Sequence, residues 1–67
     1  MQELYNISKN LKRLRSQYGY TQSYVAQKIN IRYQSYHAYE MGITVPTLKN
    51  FIQLAKLYDV SLDDLIE

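Results

Sequence analysis

The sequence of 67 residues has no cysteine and no tryptophan, and only two glycines and one proline. Without cysteine, a disulfide framework and a thiolate metal site are excluded. So few glycines and prolines argue against a turn-rich all-β fold. No apolar run approaches the roughly 18 residues that cross a bilayer, and the first residues lack the pattern of a signal peptide. We therefore expect a small, soluble, intracellular helical protein with no membrane partner.

Acidic side chains are scarce in most of the chain. All eight lysines and arginines lie before residue 57, and residues 1–58 hold only two acidic side chains, Glu3 and Glu40. The other four acidic side chains fall in the last nine residues. A basic body with an acidic tail favours a polyanionic partner for the body, although a solvated charged surface explains the charge equally well.

Apolar residues recur at helical spacing in the first part of the chain. The first stripe consists of Ile7, Leu11, Leu14 and Tyr18. Gly19 follows as a C-terminal cap, and Thr21 can cap a second helix. The apolar residues of that helix are Val25, Ala26 and Ile29. After the short connection 30–31, a third helix is predicted from about Tyr33 to Met41.

Two more helices are predicted after Pro46. Thr47 can cap a fourth helix, because Pro46 pushes the preceding residue out of helical geometry. The predicted buried stripe of this helix is Leu48, Phe51, Ile52, Ala55 and Tyr58. Ser61 and Asp64 match a capping box for a short last helix. The pattern predicts an all-α fold of five helices, in a single domain over residues 1–67.

The residues of the second and third helices resemble a known family. Residues 21–42 read TQSYVAQKINIRYQSYHAYEMG, and residues 54–66 read LAKLYDVSLDDLI. The positions that carry the resemblance are Thr21, Gln22, Val25, Ala26, Tyr39, Glu40, Gly42 and Pro46. In this order and spacing they resemble the Cro/C1-type (XRE family) helix-turn-helix domain of phage and bacterial repressors. The resemblance implies a lambda-repressor-like DNA-binding domain, with the motif at about residues 21–41.

The third helix has two different faces. At about 100° per residue, Tyr36 and Tyr39 share one face, and Tyr33 lies at its boundary. The opposite face holds Gln34, His37, Ala38 and Met41. The resemblance makes the positions of Tyr36 and Tyr39 core positions, which leaves the opposite face for DNA.

Base reading is expected from that opposite face, because the second helix of such a pair lies in the major groove. Gln34 is the leading candidate, since a glutamine amide can bond adenine N6 and N7 together. Tyr33 is expected to meet a phosphate or a thymine methyl group, and Ala38 a thymine methyl group. His37 is expected to donate to a phosphate or to guanine N7. A plain solvated face is the alternative interpretation of these residues.

Phosphate contacts are expected from four other polar residues. The resemblance implies that Gln22, at the start of the second helix, bonds a backbone phosphate. Lys28, Arg32 and Ser35 can add phosphate bonds. Arg32 stands where the family often has a small capping residue. This weakens the expectation of a side-chain cap on the third helix and strengthens the expectation of an electrostatic contact with DNA.

Two structural roles also follow from the resemblance. Arg15 and Glu40 match an arginine and a glutamate that form a partly buried salt bridge in the family. Residues 59–67 match a region through which relatives often dimerise. The dimer candidates in it are Leu62, Leu65 and Ile66. The alternative is that these side chains close the core of the monomer.

The sequence bears on two other classes of function. The loop Ile43–Val45 is apolar where many relatives place basic or amide side chains, which favours a protein-interaction module that uses this loop, Tyr24 or Tyr33. An enzyme or a metal site is disfavoured, because a chain this small has little room for a cleft and has one histidine. His37 and Glu40 are three apart on a helix, but Glu40 has a partner in Arg15.

The sequence therefore predicts a sequence-specific double-stranded DNA-binding protein that is not an enzyme. We expect a small transcriptional regulator, a repressor rather than an activator, that occupies an operator as a homodimer. No cofactor, metal or small-molecule ligand is expected. The expected location is the bacterial cytoplasm, on the nucleoid.

Overall fold

The computed structural model describes residues 2–67, and these residues form five helices and no strand. The helices are α1 (Gln2–Tyr18), α2 (Gln22–Lys28), α3 (Tyr33–Glu40), α4 (Leu48–Tyr58) and α5 (Leu62–Ile66). The predicted five-helix all-α fold is confirmed, and the predicted ends of α3 are correct to within one residue.

Side-chain caps fix where three of the helices begin. The hydroxyl oxygens of Thr21 and Thr47 each accept a hydrogen bond from the third backbone N–H after them, at 3.0 and 3.2 Å. Ser61 and Asp64 form the predicted capping box, with both reciprocal bonds present. Arg32 precedes α3 without a side-chain cap. The first turn of α3 therefore keeps backbone N–H groups that no side chain covers.

The connection between α2 and α3 is a tight turn over residues 29–32. Asn30 has a φ of 60°, a left-handed conformation that asparagine tolerates better than most residues. Ile31 N–H then returns to Ala26 O at 3.0 Å. The chain reverses within this turn and packs α3 against both α2 and α1.

All five helices contribute to one apolar core. Its buried residues are Ile7, Leu11, Leu14, Val25, Ala26, Ile29, Tyr36, Tyr39, Phe51, Leu54, Ala55, Tyr58 and Leu65. Tyr36 and Tyr39 are 0% and 5% exposed, so their prediction as core residues is confirmed. The hydroxyl of Tyr39 accepts a hydrogen bond from the Asn50 amide at 2.9 Å. Tyrosine suits this position because its ring packs while its hydroxyl finds a partner.

The predicted buried stripe of α4 was partly wrong. Leu48 and Ile52 are 69% and 37% exposed, whereas Leu54, which was not predicted to be buried, is 0% exposed. In projection down the helix axis, at about 100° per residue, Leu54 and Ala55 mark the two edges of the buried face, which spans about 100°. Ile52 lies outside this face, beyond Ala55. Apolar residues surround most of α4, so spacing alone could not show which arc faces the core.

The position of Leu65 corrects the predicted dimer surface. Leu65 is 0% exposed and lies in the core, so it cannot offer its side chain to a second chain. The side chain of Asn10, itself buried, donates to the Leu65 carbonyl at 2.9 Å and ties α5 to α1. Ile66 is half-buried against the core, and Leu62 is the most exposed of the three candidates.

Candidate nucleic-acid interface

One face of α3 is open to solvent along its first turns. Tyr33, Gln34 and Ser35 are exposed, and His37 and Ala38 on the following turn are half-buried. Of the predicted base-reading residues, Gln34 and Ala38 lie on the side of α3 opposite Tyr36, and Tyr33 and His37 lie at the edge of that side. The side chain of Gln34 makes no hydrogen bond to any residue in 2–67, so its amide is free to bind a partner outside the chain.

A partly buried ion pair anchors α3 to α1. Glu40 at the end of α3 is 1% exposed. Arg15 Nε lies 2.6 Å from Glu40 Oε2, and Arg15 Nη2 donates to Oε1 at 3.1 Å. A further Arg15 bond, from Nη1 to the Tyr20 carbonyl at 3.0 Å, fixes the guanidinium. The predicted pair is thus a two-point contact, the geometry in which arginine binds a carboxylate best.

Two more donors complete the shell of the Glu40 carboxylate. The Tyr36 hydroxyl donates to Oε2, and Gln22 Nε2 donates to Oε1 at 3.0 Å. Burial alone would raise the pKa of Glu40, but the bonds from Arg15, Tyr36 and Gln22 outweigh it and hold the pKa below its ordinary value. Burial and the bond to Glu40 raise the pKa of Tyr36, which keeps its hydroxyl protonated as a donor.

The depressed pKa of Glu40 predicts how stability responds to acid. In the unfolded chain a glutamate has a pKa of about 4.3, so the contribution of Glu40 is complete above that pH. It is lost as the pH falls through the lower folded value. We expect the wild type to exceed Glu40→Gln in free energy of unfolding at pH 7, and the difference to shrink below about pH 4.3. Urea unfolding across this range measures both.

Glu3 provides the matched control for that experiment, because it lies exposed on the first turn of α1. Glu3→Gln is expected to change the free energy of unfolding at pH 7 by no more than about 0.5 kcal/mol. A difference between the wild type and Glu40→Gln that stays constant down to pH values near 3 would contradict an ionised Glu40 in the folded protein.

The same network reaches the outer face through Gln22. While Nε2 of Gln22 bonds Glu40, its Oε1 lies 3.1 Å from Nδ1 of His37. The His37 ring stacks on Tyr33, with 5.8 Å between ring centroids and 22° between planes. Gln22 was predicted as a phosphate contact, and in the structure its amide also orients His37. This contact joins α2 to α3, and the order of residues in the sequence gave no sign of it.

Three of the four predicted phosphate-binding side chains are exposed. Arg32 and Ser35 are exposed at the start of α3, and Lys28 is exposed at the end of α2. The Lys28 ammonium lies over the Tyr24 ring, 5.4 Å from its centroid, which restricts where the charge can reach. Arg32 has no partner among residues 2–67 and stands beside the uncapped first turn of α3.

A shallow cleft of about 420 Å³ opens where the start of α2 approaches Tyr33. It is lined by Arg15, Tyr20, Thr21, Gln22, Ser23 and Tyr33. Ser23 was not predicted as a site residue, yet its hydroxyl is exposed beside Gln22. Its place on the first turn of α2, where backbone N–H groups are unpaired, is the signal that could have identified it.

Residues 2–67 show neither a metal site nor a membrane-spanning helix. No group of three or more histidine, cysteine or acidic side chains in this range is placed to hold a metal ion. Glu40, considered with His37 as a ligand pair, is occupied by its three hydrogen-bonding partners. No helix in the same range is both long and apolar enough to cross a membrane.

Helices α2 and α3 are joined by a tight turn, α3 has an exposed polar face, and the Arg15–Glu40 ion pair anchors α3 to α1. These features define a helix-turn-helix protein. The chain belongs to the helix-turn-helix family, whose model matches residues 11–65. The resemblance to the Cro/C1-type family and the lambda-repressor-like arrangement of the helices are thereby confirmed.

Curated relatives share this region. The chain is similar to the uncharacterised HTH-type transcriptional regulator YqaE of Bacillus subtilis, with 42% identity over 60 residues, covering 90% of this chain and 52% of the relative. Identity to the HTH-type transcriptional regulator ImmR of Bacillus subtilis is 36% over 61 residues, covering 91% of this chain and 48% of the relative. For the cryptic phage CTXphi transcriptional repressor RstR of Vibrio cholerae, it is 34% over 59 residues, covering 88% and 53%.

The chain spans about half the length of these curated relatives. No solved structure matches the chain significantly.

Proposed function

We propose that this protein binds double-stranded DNA sequence-specifically and regulates transcription, as a repressor that occupies an operator. The observation that carries the proposal is the exposed face of α3, on which Gln34 is free while Arg15 and Glu40 anchor the helix to α1. Membership of the helix-turn-helix family and the names of the relatives support it. The bacterial nucleoid is then the site of action, and α3 lies in the major groove.

Base reading falls to Tyr33, Gln34, His37 and Ala38. Gln34 is assigned the bidentate contact to adenine, because its amide is exposed near the start of α3. The Tyr33 ring packs on His37, which leaves the Tyr33 hydroxyl for a phosphate. Ala38 is small and half-buried, so a thymine methyl group can approach the helix closely there.

Phosphate binding falls to Gln22, Lys28, Arg32 and Ser35, and we add Ser23 to this set. An amide nitrogen carries two N–H groups, so Gln22 Nε2 keeps one for a phosphate after bonding Glu40. Arg32 and Lys28 supply charge at the two sides of the tight turn. Such contacts set the position of the protein on the duplex and carry no base information.

We also propose that two copies bind together through the region of residues 59–67, with Leu62 as the side chain available for contact. A two-fold pair would place two α3 helices about 34 Å apart, one turn of the duplex. Leu65 is excluded from this surface by its burial.

Two substitutions distinguish base recognition from phosphate binding. Gln34→Ala is expected to lose preference at one base pair, by about 1–3 kcal/mol, with little change elsewhere in the site. Lys28→Ala is expected to weaken binding to all duplexes about equally and to lower the salt slope by about 1. Binding to a panel of single-base variants at several salt concentrations measures both effects.

The control is Gln2→Ala, because Gln2 lies at the far end of α1 from the start of α2. It should leave affinity and base preference unchanged. If Gln34→Ala keeps every base preference of the wild type, the reading face has been assigned to the wrong side chains.

A protein-interaction module is the second candidate function, because the region around the loop after α3 is apolar and exposed. Ile43 is 68% exposed, and Val45, Leu48 and Ile52 are exposed near it. Salt separates the two candidates. DNA binding through about six phosphates falls about a thousandfold between about 50 and 200 mM salt, whereas an apolar protein interface changes little.

A further inference from the structure

The donors and acceptors around Gln22 leave no freedom in the orientation of its amide. An ionised carboxylate only accepts hydrogen bonds, so the Gln22 atom that faces Glu40 must be the amide nitrogen. The other amide atom is then the oxygen, and it lies 3.1 Å from Nδ1 of His37. Arg15 and Tyr36 bind the same carboxylate and fix its position, so the orientation of the Gln22 amide depends on the Arg15–Glu40 ion pair.

The amide oxygen in turn fixes the tautomer of His37. Oxygen Oε1 of Gln22 has no hydrogen to donate, so the hydrogen bond requires a proton on Nδ1 of His37. A neutral imidazole carries one proton, and its other nitrogen is then an acceptor. In the neutral ring, Nε2 therefore presents a lone pair.

The ring also faces outward with its plane fixed. Tyr33 stacks on it at 5.8 Å between centroids. Nε2 of His37 makes no hydrogen bond. Within residues 2–67, the one buried side-chain polar atom without a hydrogen-bond partner is the Tyr58 hydroxyl. Nε2 of His37 is therefore not buried and reaches solvent. His37 lies one turn after Gln34 on the same face of α3.

From this geometry we propose that His37 is a specificity-determining residue, held in the Nδ1–H form so that Nε2 accepts a hydrogen bond from the exocyclic amino group of cytosine or adenine. This inference rests on the proposed DNA-binding function. In the major groove, cytosine N4 and adenine N6 are donors, whereas guanine N7, guanine O6 and thymine O4 are acceptors. The neutral ring therefore rejects guanine, opposite to the expectation from sequence that His37 donates to guanine N7.

The free protein provides the first test. Long-range ¹H–¹⁵N NMR correlations of the imidazole report which nitrogen carries the proton, at a pH where the same spectra show the ring to be neutral. We expect Nδ1 to be protonated in the wild type, and Gln22→Ala to release the ring into a mixture of both tautomers. Protonation of Nε2 in the wild type would overturn the inference. This readout would not move if Gln22 served only to pack α2 against α3.

Duplex DNA provides the second test, at the same pH and with the site obtained by selection. His37→Ala identifies the base pair that His37 faces, as the position where preference is lost. There the wild type should favour cytosine or adenine on the contacted strand by about three- to tenfold, the range for one neutral hydrogen bond. Gln22→Ala should reduce that ratio while the preference read by Gln34 remains.

Each contrary result has its own meaning. A preference for guanine or thymine at that position, or no loss of preference in His37→Ala, would overturn the base-reading role. Failure to bind any duplex would overturn it together with the proposed function. The NMR result on the free protein distinguishes these failures, because it depends on the Gln22 contact and needs no DNA.

Discussion

Replacing Arg15 with alanine is expected to lower the free energy of unfolding by about 3–5 kcal/mol, because the Glu40 charge stays buried without its cation. Glu40 is 1% exposed, and Tyr36 and Gln22 alone would be left to solvate it. A chain of this size has a total stability of about 3–10 kcal/mol, so the loss is a large share of it. Urea unfolding followed by circular dichroism measures the loss.

Arg13 offers a matched control on the same helix. It is exposed, and its contact in the described residues is a long bond of 3.4 Å to the Asn10 side chain. Arg13→Ala is expected to change the free energy of unfolding by no more than about 0.5 kcal/mol. If Arg15→Ala and Arg13→Ala were equally mild, the ion pair would not be what fixes α3 against α1.

The second large effect is expected at Leu65. The sequence allowed two roles for this side chain: contact with a second chain, which requires exposure, or packing in the core, which requires burial. Leu65→Ala should cost about 2–5 kcal/mol, because it removes a fully buried side chain from the core. The loss should be the same at low and high protein concentration, since it arises within one chain. Denaturant unfolding at two concentrations, with sedimentation of the folded protein alongside, measures it.

Leu62→Ala is the partner experiment, because Leu62 lies on the same short helix with its side chain exposed. It should affect the stability of the single chain much less than Leu65→Ala does, and it should weaken pairing if α5 forms the proposed dimer contact. A stability loss in Leu65→Ala that appears only at high protein concentration would return Leu65 to the dimer surface.

Most helix boundaries could be predicted because their signals are local. A threonine or serine before an apolar stripe caps the next helix through its own hydroxyl, as at Thr21, Thr47 and Ser61. Gly19 could be predicted to end α1 because a left-handed residue stops a helix there, and its φ is +71°. Each of these depends on contacts between residues a few positions apart.

Burial was harder to predict where apolar residues surround a helix. In α4, Leu48, Ile52 and Leu54 are equally apolar, and only packing against the other helices decides that Leu54 faces inward. In α5, a helix of 5 residues is too short to display a period, so the pattern could not separate Leu62 from Leu65.

The exposed face of α3 could be predicted from the sequence, whereas the hydrogen-bond network around Gln22 could not. The helical period alone separates Gln34 and His37 from Tyr36 on α3. The contact of Gln22 with both Glu40 and His37 joins side chains 18 and 15 residues apart, and it depends on the angle at which α2 meets α3. The two helices are joined by the turn over residues 29–32, whose backbone geometry spacing rules do not describe.

Selection of bound duplexes from a random DNA pool at moderate salt tests sequence-specific binding by the α3 face most directly. We expect enrichment of one motif, arranged as a two-fold repeat with half-sites about one helical turn apart. The motif should lose its preference at a single base pair when the selection is repeated with Gln34→Ala. A retained pool that stays random, or a pool that is not retained at all, would contradict base reading by α3.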